Sequence, residues 1–305
     1  MKKLLFGAII TVFTLGFVAL AIKAPNVYAA QPTVNLGTAA PFAILAGSEV
    51  TNVPTSVING NVGLSPATGA GITGLTKAEV SGSIYTVDAY GPIGYTENPG
   101  LLTTATNDLT AAYLDASKRT PATPLTGSDN QLGGKTLTPG VYSFSHATTA
   151  NLTAASPLTL SGNGVFIFQA SSDLITASAS SVVLTEGAQA CNVFWTVPSS
   201  GSSIGTDSSF VGTIMAYASI NLMTRASLQG RVLAQTAAVT LDHNTITAPI
   251  ECLGTTYVDT TTPKLPNTGS ASTENNGTLL ASSLAAGAIL TALASFIVVR
   301  TKRAN

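Results

Sequence analysis

Charge is what this sequence has least of. Only 9% of its 305 residues are Asp, Glu, Lys or Arg, against about 25% in an ordinary soluble domain. Lys and Arg number 13, Asp and Glu 14. That balance excludes the strong single-sign field that draws a protein to nucleic acid or to anionic lipid. Two His and one Trp leave little material for acid–base or metal chemistry. No spacing gives His146 or His243 an acidic or nucleophilic partner, so each reads as a solvated turn residue. Asp173, Asp207, Arg225, Arg231 and Asp242 are scattered, whereas a solenoid lyase or hydrolase needs such groups clustered. No catalytic residue, metal ligand or cofactor is expected.

Cysteine is almost as scarce. Cys191 and Cys252 are the only two. In a secreted chain a pair suggests one disulfide, here clipping the C-terminal part of the domain. Closing a loop of that size restricts the unfolded chain by roughly 4 kcal/mol in the entropic account.

Both termini read as addresses. Met1-Lys2-Lys3 is a basic start, Leu4–Ile22 is a charge-free apolar run, and Val27-Tyr28-Ala29 puts small residues at a cleavage site. Residues 1–30 therefore read as a secretory signal peptide. At the other end, Leu265-Pro266-Asn267-Thr268-Gly269 precedes a polar spacer, an uncharged span over 278–299 and a basic tail, Arg300-Thr301-Lys302-Arg303. The span is long enough to cross the hydrocarbon core of a bilayer, about 30 Å thick, and the tail is of the kind retained in the cytoplasm. The ending, 265–305, resembles the sorting signal of wall-anchored surface proteins. That resemblance implies a sortase that cleaves between Thr268 and Gly269 and joins the Thr carbonyl to peptidoglycan. The partners are then sortase and peptidoglycan, with membrane contact only through the span before sorting. The localisation expected is secreted and cell-wall-anchored. Residues 253–264 read as a short Thr-rich linker.

What the sequence has in abundance is Gly, Ser, Thr and Ala around short apolar runs. Between Cys191 and Ile246 these runs are Val193-Phe194-Trp195, Phe210-Val211, Ile214-Met215, Ile220-Leu222, Val232-Leu233 and Val239-Leu241. Each is too short and too β-branched for a helix. A small–apolar–polar triad returns as Ser203-Ile204-Gly205, Ser219-Ile220-Asn221 and Ala238-Val239-Thr240. The spacing of roughly 16 to 19 residues suits one coil of a β-solenoid. Val57-Ile58-Asn59, Gly71-Ile72-Thr73 and Ser83-Ile84-Tyr85 repeat the shape, so three partial coils are expected before residue 90. Stacked coils place equivalent residues in columns, apolar ones inside and short polar ones outside.

One segment breaks the β pattern. From about 99 to 118, Leu102, Ala105, Leu109, Ala112, Tyr113 and Ala116 fall at helical spacing, with Asp108 and Asp115 on the other side. One apolar stripe on a lone helix predicts that it lies against a flat sheet. The coils are expected to resume from Leu132. The domain reading is thus a β-solenoid over 31–252 with one long helix alongside.

The blocks VINGNVGLSPATGAGITG, LGGKTLTPGVYSF, GVFIFQA, GAQACNVFW and GTIMAYASINLMTRASLQGRVLAQTAAVTLDHNTITAP resemble the microbial ice-binding protein family. The resemblance runs over roughly Val34 to Pro249 and implies a right-handed β-helix of triangular section. It also implies one flat ice-binding face. Short β-branched Thr side chains have few rotamers, so a Thr ladder is ordered at little entropic cost. Its hydroxyls hold water while its methyls shape it.

Carried over by position, the candidate face is Asn59, Gly71, Thr73, Ser83, Asn151, Thr153, Thr159, Thr176, Ser203, Ser219, Asn221, Ala238 and Thr240. The match is irregular. Gly205 stands where a final Thr is expected, Val57, Pro157 and Leu174 occupy small positions, and Met223 is expected to point outward. The expected function is ice binding by a wall-anchored protein. The alternatives are a surface adhesin or a structural spacer on the same scaffold. Tyr85, the one aromatic in these columns, is too little for a sugar platform.

Overall fold

The computed structural model describes residues 31–125, 131–144, 150–154, 156–198 and 201–249. All lie in the first of two units, Met1–Thr256 and Tyr257–Asn305. The expected signal peptide, linker, sorting pentapeptide and span at 278–299 lie outside the described residues, as do His146 and Cys252. Among the described residues no helix is long and apolar enough to cross a membrane.

The fold is dominated by parallel β-sheet with one α-helix. Successive strands are two to eight residues long, as short β-branched runs between turn residues require. They feed three sheets in turn. The first, here the helical face, contains Phe42–Ala46, Asn61–Leu64, Ile84–Thr86, Val193–Val197, Phe166–Gln169 and Gly140–Phe144. The second, the ladder face, contains Ala150–Leu152, Leu174–Thr176, Ser202–Ile204, Ile220–Leu222, Val239–Asp242, Val50–Val53 and Ile72–Thr73, in that stacking order. The third face holds Thr136–Leu137, Leu158–Ser161 and Val182–Thr185, and beyond them Thr245–Thr247 and Val57–Asn59.

Two long strands, Ser209–Ala216 and Ser227–Ala234, serve both the third and the helical face. Each turns the corner at a glycine. Gly212 has φ +113°, and a Cβ on Gly230 would lie 1.9 Å from the Gly212 carbonyl oxygen. No side chain fits where two coils bend together.

Stacking order is not chain order. The N-terminal strands build one end of the stack, and the C-terminal coils grow back from the other end until the two meet. They meet on all three faces. Phe42–Ala46 pairs with Ser227–Ala234, Val50–Val53 with Val239–Asp242, and Val57–Asn59 with Thr245–Thr247. Arg231 lies at this seam, 5% exposed. Its Nε donates to the Ala40 carbonyl and its Nη2 to the Pro249 carbonyl, each at 2.7 Å, and its Nη1 to the Thr213 hydroxyl at 3.3 Å. Burial pushes the guanidinium down to about 10, so it remains a cation at neutral pH. It reads as a clamp, not as a catalytic group.

Equivalent core positions stack along the axis. Tyr142, Phe168, Trp195 and Phe210 form one aromatic column, with Phe168 and Trp195 face to face at 3.9 Å. Trp195 Nε1 donates to the Val211 carbonyl at 3.0 Å, which satisfies the indole inside the core.

The helix is Pro99–Lys118. Asn98 caps it by accepting from the Leu101 amide, and Pro99 occupies the first turn, where its missing N–H costs nothing. Leu102, Ala105, Leu109, Ala112 and Ala116 are buried against Phe42, Leu45, Ile167, Phe194, Met215 and Leu233. The predicted stripe is therefore the packed one, with Tyr113 half-buried at its margin. Asp108, expected on the solvent side, instead accepts from the Thr38 amide and hydroxyl at 2.7 Å each. Those bonds hold its carboxyl below the usual range and tie the helix to the N-terminal segment.

Candidate functional site

With one face under a helix, two faces stay open, and the ladder face is the one that gathers most of the expected candidates. Its register fixes the columns. The middle column reads Asn151, Ile175, Ser203, Asn221, Thr240, Thr51, Thr73 in stacking order. The residues just before these, Leu174, Ile220, Val239, Val50 and Ile72, point inward and are buried. Ser202 occupies the same inward column and is 3% exposed, with no hydrogen-bond partner for its hydroxyl.

Two residues earlier on each strand runs a column of mostly small residues: Asp173, Gly201, Ser219, Ala238, Glu49, Gly71. Two residues later come Thr153, Ala177, Gly205, Met223, Asp242 and Val53. Met223 is 44% exposed and Val53 51%, so this third column carries apolar bulk. Where the middle and small columns run together, from Ser203 to Thr73, the face presents, Glu49 excepted, β-branched or short side chains on five adjoining strands. Neighbouring strands stand about 4.8 Å apart.

The expected candidates divide by face. Gly71, Thr73, Ser219, Asn221, Ala238 and Thr240 stand on the ladder face in the columns expected, and Thr153 stands at its margin. Asn151 and Ser203 stand there too, but in the polar column rather than the small one, because both pair with Ile175 and Ser203 pairs with Asn221. Thr176 is 4% exposed and accepts from the Gly205 amide at 2.8 Å. Ile175, its neighbour, takes the outward place, so the triad in this coil is displaced by one residue. Thr159 belongs to the third face, opposite Thr136 and Val183. Asn59 also belongs there, its amide donating to the Thr247 hydroxyl at 3.1 Å. Ser83 leads into Ile84–Thr86 on the helical face, its amide donating to Asn61 Oδ1. Tyr85 follows it there, 5.8 Å from the Phe42 ring.

Thr51 was not among the expected residues. Its signal was present in Glu49-Val50-Thr51, a polar–apolar–polar triad of the same form as Ala238-Val239-Thr240. The Glu at the small position hid it.

Charged groups scattered in the sequence gather at the corner between the ladder and third faces. Ala179, Asp207, Arg225 and His243 all have positive φ near 50–60° there, one per coil. Arg225 pairs with Asp207 through Nε and Nη2 at 2.7 Å. The Thr224 hydroxyl and His243 bond Asp242 and hold its carboxyl below the usual range. Exposed pairs of this kind stabilise little. No group of three or more His, Cys, Asp or Glu able to hold a metal occurs among the described residues.

Comparison with known proteins decides the lineage. A family profile described as Ice-binding-like matches residues 44–247. The chain belongs to the ice-binding-like family. A relative from Flavobacterium frigoris (strain PS1), named an ice-binding protein, is 44% identical over 218 residues, 71% of this chain and 76% of its own. Among solved structures of ice-binding proteins, one from an Antarctic biological consortium superposes with a TM-score of 0.62 at 35% identity. It covers 72% of this chain and 93% of its own. Another, from an Arctic yeast and titled for its antifreeze activity, gives a TM-score of 0.64 at 30% identity, covering 72% and 95%. The ice-binding-like family match spans both sides of the seam, from Phe42–Ala46 to Thr245–Thr247.

Proposed function

We propose that the protein binds ice, and that the ladder face is the contact. The observation that carries this reading is the unbroken register of Ser203, Asn221, Thr240, Thr51 and Thr73, beside a column made mainly of Gly, Ala and Ser. Such a surface is pre-ordered, and its hydroxyls and methyls hold and shape water together. The relatives named ice-binding proteins support it. The right-handed triangular winding implied by the family belongs to the same proposal.

The test is nanolitre osmometry on the purified protein with crystal shape watched during slow cooling. Faceted crystals and a gap between melting and freezing points, abolished by Thr240→Tyr, are the expected result. Smooth disc-shaped growth from folded protein would sink it.

We further propose that the chain is secreted and fixed to peptidoglycan through Leu265, Pro266, Asn267, Thr268 and Gly269. The order of pentapeptide, apolar span and basic tail supports this. Incubation with a sortase of the matching specificity and an amine acceptor should cleave the chain after Thr268. An intact chain would count against it.

A further inference from the structure

We propose that Glu49 limits the strength of ice adsorption by holding a hydrated carboxylate within the ladder face. The inference rests on that face being the ice contact.

The placement follows from register. Val50 pairs with Val239 on one side and with Ile72 on the other, so Glu49 falls between Ala238 and Gly71. The backbone agrees: the Val239 amide donates to the Glu49 carbonyl at 2.9 Å, and a Cβ on Gly71 would lie 3.8 Å from Glu49 Cα. Val50 is fully buried, so Glu49 and Thr51, on either side of it, both face outward. Glu49 is exposed.

Its neighbours in the column offer nothing to a carboxylate. Gly71 has no side chain and Ala238 a methyl. Two other acids near this face are held, whereas Asp173, at the far end of the same column beyond Ser203, has a buried Oδ1 without a partner. Asp242 accepts from Thr224 and His243, and Asp207 pairs with Arg225. Among the described residues Glu49 receives no side-chain hydrogen bond and no ion pair. An isolated ion keeps its own water shell, and stripping that shell costs far more than stripping a hydroxyl. The carboxylate therefore stands in the row next to Thr51 and Thr240 and orders water around itself rather than to the pattern of the ladder. Elsewhere between Ser203 and Thr73 the small column is Gly, Ser or Ala. Glu49 is the one departure there that is both large and charged.

Glu49→Ala and Glu49→Gln separate charge from size. Both should widen the hysteresis gap at equal protein concentration, Glu49→Ala by about twofold or more and Glu49→Gln by most of that. Glu97→Ala, an exposed acid on the outermost strand of the helical face, should leave the gap unchanged. Thermal melts establish that each variant is folded. A gap unchanged or narrowed in both Glu49 variants, while Thr240→Tyr abolishes that of the wild type, would overturn the role of Glu49 and leave the ladder face standing. Hysteresis that survives Thr240→Tyr, or none in the wild type and either Glu49 variant, would overturn both.

Discussion

Thr51 and Thr240 are register partners on adjacent parallel strands, although they come from opposite ends of the domain sequence. Their side chains stand next to each other in the middle column of the ladder face because the N-terminal and C-terminal coils close on each other there. The candidate surface is thus continuous across a seam that the chain crosses only by folding.

Thr51→Tyr should therefore abolish crystal faceting as completely as Thr240→Tyr. Thr159→Tyr, on the third face beside Thr136 and Val183, should leave it intact. Osmometry on the three variants checks this, and equal loss from Thr159→Tyr would place the contact elsewhere.

Ser202→Val should stabilise the domain. The serine hydroxyl sits in an apolar column between Leu174 and Ile220 with no partner. Valine restores the β-branched residue that the column otherwise favours and removes a buried unsatisfied group. The gain expected is about 1 kcal/mol, read from denaturant midpoints at constant slope.

Arg231→Met should destabilise by about 3 kcal/mol, because the carbonyls of Ala40 and Pro249 lose their donors inside the fold. Arg231→Lys should not rescue it. A single ammonium lacks the planar fork that reaches both carbonyls. Chemical denaturation of both variants measures the difference, and a wild-type midpoint in Arg231→Lys would show that charge alone suffices.

Glu79 gives the stability a dependence on pH. Burial pushes its carboxyl up, but bonds from the Ser56 and Thr76 amides, the Thr76 hydroxyl and the Asn52 amide outweigh that. They hold it below its ordinary value of 4.5. A folded value below the unfolded one means that the contribution is present above pH 4.5 and is lost as pH falls through the folded value. Glu79→Gln should lower stability at pH 7 and flatten its fall between pH 5 and pH 3. Denaturation curves across that range check the sign; an unchanged slope would refute it.

The expected bridge between Cys191 and Cys252 makes a separate prediction. Thiol titration of the denatured, unreduced protein should find no free thiol, and Cys191→Ser should lower the melting temperature. Two titratable thiols would exclude the bridge.

The sequence by itself determined the local elements. Apolar runs such as Phe166-Ile167-Phe168 could be nothing but buried strands, and the spacing from Leu102 to Ala116 made one helix with one packed stripe. Family blocks fixed the lineage, and Gly71, Thr73, Asn221 and Thr240 were legible because each sits beside a single inward residue in a regular triad. Only the tertiary structure decided which strands are neighbours. Coil length varies, so a triad read from spacing slips by one residue at Thr176 and by two at Ser203, and each slip moves a side chain between columns or between inside and outside. Asn59 and Thr159 carry the same local pattern as Thr240, yet the turns before them direct their strands to another face. The seam that joins Thr51 to Thr240, the clamp at Arg231 and the charges stacked at one corner all depend on the order in which coils stack. That order is set by where the helix carries the chain, and no local residue pattern records it.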